Sequence, residues 1–508
     1  MNSIVPPGST ALADEKPHAI VIGSGFGGLA AATRLSVRGY RVTVLEKLDA
    51  PGGRAYVFKQ DGFTFDAGPT IITAPFLLEE LWSICGRKFS DDVDLRTMNP
   101  FFRLRFDDGD TFDYSGDPDL MRREIERVAP GDLPGYESFL KASAKAYRLG
   151  YDKMGDMAFT KLSDMLKVIP DMLQMQGLRS LHSLVSSHVK SEKVRTVLSF
   201  HPLLIGGNPY SVTAVYALIS YLEQRFGVYS AMGGTGALVN AMVKLMQSQG
   251  AVLRCNAEVD EILVESGKAT GVRLSSGETL TSDIVVSNAD AAWTYRHMLP
   301  PSARRHWTDK KIEKSSFSSG LFVWYFGTDR RYEDVPQHSV LLGPRYKGLL
   351  DDIFKNHKLA DDFSLYLHRP TELDPSLAPD GCDTFYALAP VPHLASGTDW
   401  EAHAEPFRAA IQARLEETVL PKLGAHVVSS KLMTPLDFQS RLLAFKGCAF
   451  GFEPVLTQSA WFRPHNVSED VDGLYLVGAG THPGAGIPGV ITSAKVLDKV
   501  IPHARSFA

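Results

Sequence analysis

The stretch HAIVIGSGFGGLAAATRLSVRGYRVTVLE, residues 18–46, decides the fold. Its first five residues are a continuous apolar run of the kind that fills a strand buried in a parallel sheet. Gly23, Ser24, Gly25, Phe26, Gly27 and Gly28 follow in GxGxxG spacing. The first glycine permits a tight turn, the second lets backbone approach a pyrophosphate, and the third lets helix pack closely on strand. The Ala- and Leu-rich segment behind them predicts a helix to about Val37, stopped by Gly39. RVTVL, residues 41–45, then predicts a second parallel strand with Glu46 and Lys47 at its tip. A carboxylate there accepts hydrogen bonds from a ribose diol and repels a 2′-phosphate. Strand, glycines, helix, strand and acid in this order specify a βαβ unit that binds a dinucleotide.

Working outward, 508 residues are enough for two cores that share an interface. Hydrophobic residues make up 44% and charged residues 22%, which excludes disordered, collagenous and coiled-coil classes. A net charge of -5 offers no global basic field, so nucleic acid is not an expected partner. Cys85, Cys255, Cys382 and Cys448 lie far apart, which argues against a metal site or a disulfide framework and suits a cytoplasmic setting. Residues 1–17 read as a flexible tail with no signal-peptide pattern, and no run of about 18 apolar residues predicts a spanning helix.

Along the chain, residues 63–69 predict a strand, as do 251–264, 271–286 and 474–477, and a helix is expected from about Pro488. Between residues 157 and 185, Met, Leu, Ile and Val recur at helical steps, with Pro170 marking a break or kink. The expected layout is a nucleotide-binding domain assembled from residues 18–105, 225–295 and 465–508. Residues 106–224 form a helical region facing substrate or membrane, and 296–464 a mixed-sheet substrate domain.

Gly52, Gly53 and Arg54 lie just beyond Glu46. This pair of glycines with arginine resembles the second glycine motif of the large FAD family that includes amine oxidases and carotenoid desaturases, in which the loop approaches the flavin. The end of the chain is more specific. GLYLVGAGTHPGAGIPGV, residues 473–490, delivers a Gly/Pro loop from an apolar strand, and Pro488 suits the first turn of the closing helix. A helix start facing the flavin would stabilise negative charge on its reduced form. This segment resembles the terminal signature of bacterial-type phytoene desaturases, and FDAGP (65–69), FHPLLIGGNP (200–209), GGTGAL (233–238) and SNAD (287–290) extend the likeness over nearly the whole chain.

The resemblance implies an α/β architecture: a Rossmann-type, amine-oxidase-like FAD-binding domain with an inserted mixed α+β substrate domain. It implies FAD as cofactor, held by the glycine motif, Glu46, Lys47, Gly53, Arg54, Gly480, Gly489 and Val490, with the Val259 backbone at the adenine end. It also implies hydride loss from an allylic CH2 of phytoene to the flavin and proton loss from the neighbouring carbon, with oxygen or a quinone reoxidising the flavin. His482, His201 and Asp66 are the candidate bases; no metal is implied. A hydrocarbon substrate comes from the bilayer, so the methionine-rich segment with Lys161, Lys167, Arg179 and Lys190 is expected to meet the membrane surface peripherally. The alternatives are an amine oxidase, with Trp461 and Phe462 contributing to an aromatic cage, and a desaturase for a C30 or hydroxylated carotene.

Overall fold

The computed structural model describes residues 16–507; most of the expected tail lies outside them. His18–Ile22, Phe26–Val37 and Arg41–Leu45 form the βαβ unit. The first strand is the middle of a five-stranded parallel sheet, with Ile284–Ser287 and Leu474–Leu476 on one side and Arg41–Leu45 and Val252–Arg254 on the other. Period-two alternation divides its side chains: Ala19 and Val21 join one core, Ile20 and Ile22 another. Both faces are therefore covered, which is why the strand reads as an unbroken apolar run.

A seven-stranded sheet forms the second layer. Its spatial order is Val427–Met433, Gly320–Thr328, Asp383–Val391, Leu365–His368, His338–Leu341, Phe102–Arg105 and Thr111–Tyr114. Phe322, Trp324 and Phe326 pack with Trp400, Phe407 and Ile411 of the helix Trp400–Thr418. Leu321, Val323 and Tyr325 point the other way, into the largest core.

Two expectations need correction. Phe102–Arg105, counted with the nucleotide-binding segment, pairs in register with His338–Leu341, and Thr111–Tyr114 joins the same sheet rather than a helical region. The pairing crosses more than 230 residues, so the local sequence carries no sign of it. Pro170 does not end its helix: Leu162–Gln174 runs through it. Leu166, whose carbonyl loses its partner, is exposed, so solvent can satisfy what the proline leaves free.

Candidate active site

A mainly apolar cavity of about 520 Å³ runs between the two sheets, and the glycine motif forms one end of it. Gly25 caps the first helix with extended backbone and no side chain, so the first-turn amides face the cavity uncapped. Gly28 lies behind this wall. A Cβ there would stand 2.0 Å from the Gly23 carbonyl oxygen, so only glycine lets the helix lie this close to the strand. Asn288 sits beneath the turn, and its amide donates toward the Gly23 carbonyl at 3.5 Å.

Glu46 is buried at the cavity edge. Its Oε2 accepts from the Ser24 amide at 2.9 Å and the Ser24 hydroxyl at 2.5 Å, and Oε1 accepts from the Leu48 amide at 2.9 Å. Two oxygens offer about four acceptor positions, so one remains for a ribose hydroxyl. Val259 and Ala257 line the same end. The Ala257 amide donates to the Glu46 carbonyl at 2.8 Å and the Asn256 amide to that of Leu48 at 2.9 Å. Lys47 reaches Glu258 at 3.0 Å and the Ser440 carbonyl at 2.8 Å.

Arg54 lines the middle of the cavity, its Nε donating to the Ala449 carbonyl at 2.6 Å. Burial lowers its pKa, opposed by the nearby Asp290 carboxylate. At the far side the closing helix Ile487–Val500 starts at Gly486, whose φ of 92° favours glycine, and no side chain caps it. Gly489 and Val490 of its first turn line the cavity. Gly480 does not. It packs against Ala291, where a Cβ would approach the Ala291 Cβ to 2.7 Å, so its part is to let the loop close on the wall. Two uncapped helix starts, an acid placed for a ribose and a partly buried arginine between them form a cradle that fits FAD.

Beyond the closing helix the walls are apolar: Leu203, Ile205, Met154, Phe159, Met165 and Met172. The three candidate bases fall in different surroundings. Asp66 is not on the cavity wall; its carboxylate accepts from the Thr235 amide at 2.9 Å and the Gly236 amide at 3.3 Å, capping the helix Gly234–Ser248. Burial raises its pKa to about 6 against the pull of those amides. His482 lines the cavity and packs on Phe159, with Nε2 3.2 Å from the Met154 carbonyl oxygen, and burial lowers its pKa to about 4. His201 lines the cavity with Nε2 3.0 Å from Glu223 Oε2. Trp461 and Phe462 pack on each other away from the cavity wall, so the aromatic cage anticipated for an amine oxidase does not form from them.

Sequence reasoning missed Glu223 and the hydroxyl cluster of Thr70, Tyr366 and Tyr386, in which Thr70 Oγ1 and the Tyr386 hydroxyl are 2.7 Å apart. Glu223 sits in an ordinary helical segment and gives no local signal. Asn288 had one, in the SNAD that ends a buried strand.

Residues 26–496 match the family described as flavin containing amine oxidoreductase. Among curated proteins, the chain is 51% identical over 497 residues to the phytoene desaturase (neurosporene-forming) of Cereibacter sphaeroides, covering 97% of this chain and 96% of that one. It is 46% identical to the phytoene desaturase (lycopene-forming) of a Paracoccus species, covering 95% of this chain and 97% of that one. Among solved structures, putrescine oxidase aligns with a TM-score of 0.64 at 14% identity over 97% of this chain and 99% of that one. An oxidoreductase from Methanosarcina mazei aligns at 0.61 and 19% over 95% and 100%. These two share the fold. On the match over most of its length and the identity to its relatives, the chain belongs to the flavin containing amine oxidoreductase family, in its phytoene desaturase branch.

Proposed function

We propose that this protein is an FAD-dependent desaturase that introduces C=C bonds into phytoene, towards neurosporene or lycopene. The observation that carries the reading is the cavity. One continuous, mainly apolar space joins the dinucleotide cradle to a tunnel walled by Leu, Ile, Met and Phe side chains. A hydrocarbon offers no polar handle, so shape and apolar contact must hold it, and this wall suits that task. Relatives named 4,4′-diapophytoene desaturase are less similar, at 33% and 36% identity, than the two phytoene desaturases above at 51% and 46%, which favours phytoene.

Glu46 with the Val259 segment would hold the adenosine end, the first helix start the pyrophosphate, and Arg54 with the closing helix the flavin. FAD, when bound, supplies the two-electron acceptor; either oxygen or a quinone suits as final acceptor. The amides at the start of Ile487–Val500 present the positive end of a helix dipole where charge must be stabilised. The apolar wall excludes water from the reacting carbons.

The helix Leu162–Gln174 supports delivery from a membrane surface. Met165, Val168 and Met172 line the cavity, whereas Leu162, Leu166, Ile169 and Leu173 on its other side, and Leu178 beyond, are exposed. Lys161, Lys167 and Arg179 flank that apolar face as an interfacial helix on anionic lipid requires. No helix among the described residues is long and apolar enough to cross a membrane. Anaerobic incubation of the FAD-loaded protein with phytoene in liposomes tests the function. Extracted pigment should absorb at longer wavelength as conjugation grows; an unchanged spectrum with every carotene offered contradicts the desaturase reading.

A further inference from the structure

We infer that His201 and Glu223 form a buried proton-accepting dyad in the cavity wall, with His201 taking the proton that the hydrocarbon loses and Glu223 positioning it. The inference deepens the desaturase reading and rests on it.

The two side chains come from different elements. His201 opens the short turn His201–Ile205 behind the helix Glu192–Ser199, and Glu223 lies in the helix Leu218–Phe226. Both are about 1% exposed and both line the cavity. His201 Nε2 stands 3.0 Å from Glu223 Oε2, without a hydrogen bond between them but within ion-pair reach once the ring is protonated. Both ring nitrogens and Glu223 Oε2 are buried without a hydrogen-bond partner.

Burying a carboxylate is costly, and a purely structural site would pair it with arginine or replace the pair by apolar residues. Among the described residues no lysine or arginine forms a salt bridge with Glu223. Its partner is the one basic side chain able to take and release a proton at ordinary pH. The surroundings are otherwise aromatic: Tyr114, Phe200 and Phe102 pack around the His201 ring at 5.1, 4.3 and 6.4 Å between centroids. Burial first, and the Glu223 carboxylate second, keep the Tyr114 phenol protonated. A carboxylate this close to Nε2 stabilises the imidazolium formed on proton uptake.

The dyad is also close to the closing helix. Ile205 ends the turn that His201 begins, and a Cβ at Gly486 would come within 3.3 Å of the Ile205 Cγ2. Four residues of 3₁₀ turn span roughly 8 Å, the backbone rise from His201 to the residue that meets the start of that helix. His482 is the competing base, but it contacts a carbonyl oxygen and has no carboxylate to stabilise its charged form.

The chemistry balances as an oxidation. One carbon of the CH2–CH2 unit gives up hydrogen with its electron pair to the bound FAD. The C–H bond on the neighbouring carbon breaks, its electron pair becomes the second bond of C=C, and the proton goes to the His201 imidazole.

The test uses FAD-loaded wild type, His201→Gln and Glu223→Gln with phytoene liposomes. FAD content and the thermal midpoint report folding. The expected result is a kcat loss of roughly 100-fold or more for His201→Gln and at least about tenfold for Glu223→Gln, with KM little changed. Imidazole should restore part of the rate in His201→Gly. A structural role would not give that rescue or the separation of kcat from KM. Should the His201 variants lose FAD, the isosteric Glu223→Gln decides alone. The infrared difference spectrum of resting wild type against Glu223→Gln should contain an ionised carboxylate band; a protonated carboxyl band overturns the pairing. Retention of kcat within about twofold in a folded, FAD-loaded variant overturns the dyad. Wild type that forms no new double bond refutes the desaturase reading instead, and the infrared result still judges the pairing.

Discussion

At the scale of single residues, the site depends on groups whose partners are already fixed before any ligand arrives. Glu46 is held by Ser24 and Leu48 with one acceptor position left over. Glu46→Gln replaces one oxygen by a donor facing the Ser24 amide, so it both misaligns the side chain and weakens its hold on a ribose. FAD affinity should fall at least about tenfold, equivalent to about 1.4 kcal/mol, with the fold retained. Titrating the apoprotein with FAD by fluorescence checks this, and wild-type affinity would contradict the ribose role. Asp66 differs in kind: both oxygens are committed to the amides of Thr235 and Gly236, and it stands behind the wall. Its sequence neighbourhood, FDAGP, drew it into the candidate set, but only the helix capped from 169 residues away explains it.

At the scale of elements, the helix Leu162–Gln174 has two apolar faces, one lining the cavity and one exposed. Periodicity alone made residues 157–185 helical and apolar, and left the exposed side undivided from the cavity side. The fold divides them: Met172 turns inward, whereas Leu166, Leu173 and Leu178 are 59%, 57% and 70% exposed. Changing those three leucines to serine should leave FAD content intact. At about 1 kcal/mol for each partly buried side chain, partition onto anionic vesicles should fall about 100-fold. Sedimentation with liposomes measures it; unchanged partition contradicts the docking role. Basic residues beside this face add attraction that weakens with salt.

At the scale of the whole molecule, burial of neutral histidines sets the acid stability. Desolvation lowers the pKa of His338 to about 3 and of His393 and His482 to about 4, and that of His368 well below its ordinary 6.5. Below pH 6.5 the unfolded chain protonates these four while the folded chain does not, so their contribution is full above 6.5 and is lost as pH falls. Asp66 and Glu453, raised by burial to about 6 and about 7, act in the opposite sense. Among these six groups, four protons against two leave about two more bound by the unfolded chain between about pH 4.5 and 6, a contribution to the slope of roughly 3 kcal/mol per pH unit. Thermal unfolding across that range should show stability falling with acid, and His393→Gln should remove about one proton from the slope. An unchanged slope would contradict the assignment.

The sequence by itself determined what is contiguous. The βαβ unit of residues 18–46 needs only local turn chemistry and periodicity, and the closing Gly/Pro loop with its helix is likewise written in one run. Tertiary structure alone decided which distant groups meet: His201 with Glu223, Phe102–Arg105 with His338–Leu341, and Asp66 with the helix at Gly234. The physical reason is that local motifs are stabilised by backbone geometry within a few residues. Pairs from separate elements are brought together by burial of the whole core, which leaves no periodic mark at either partner.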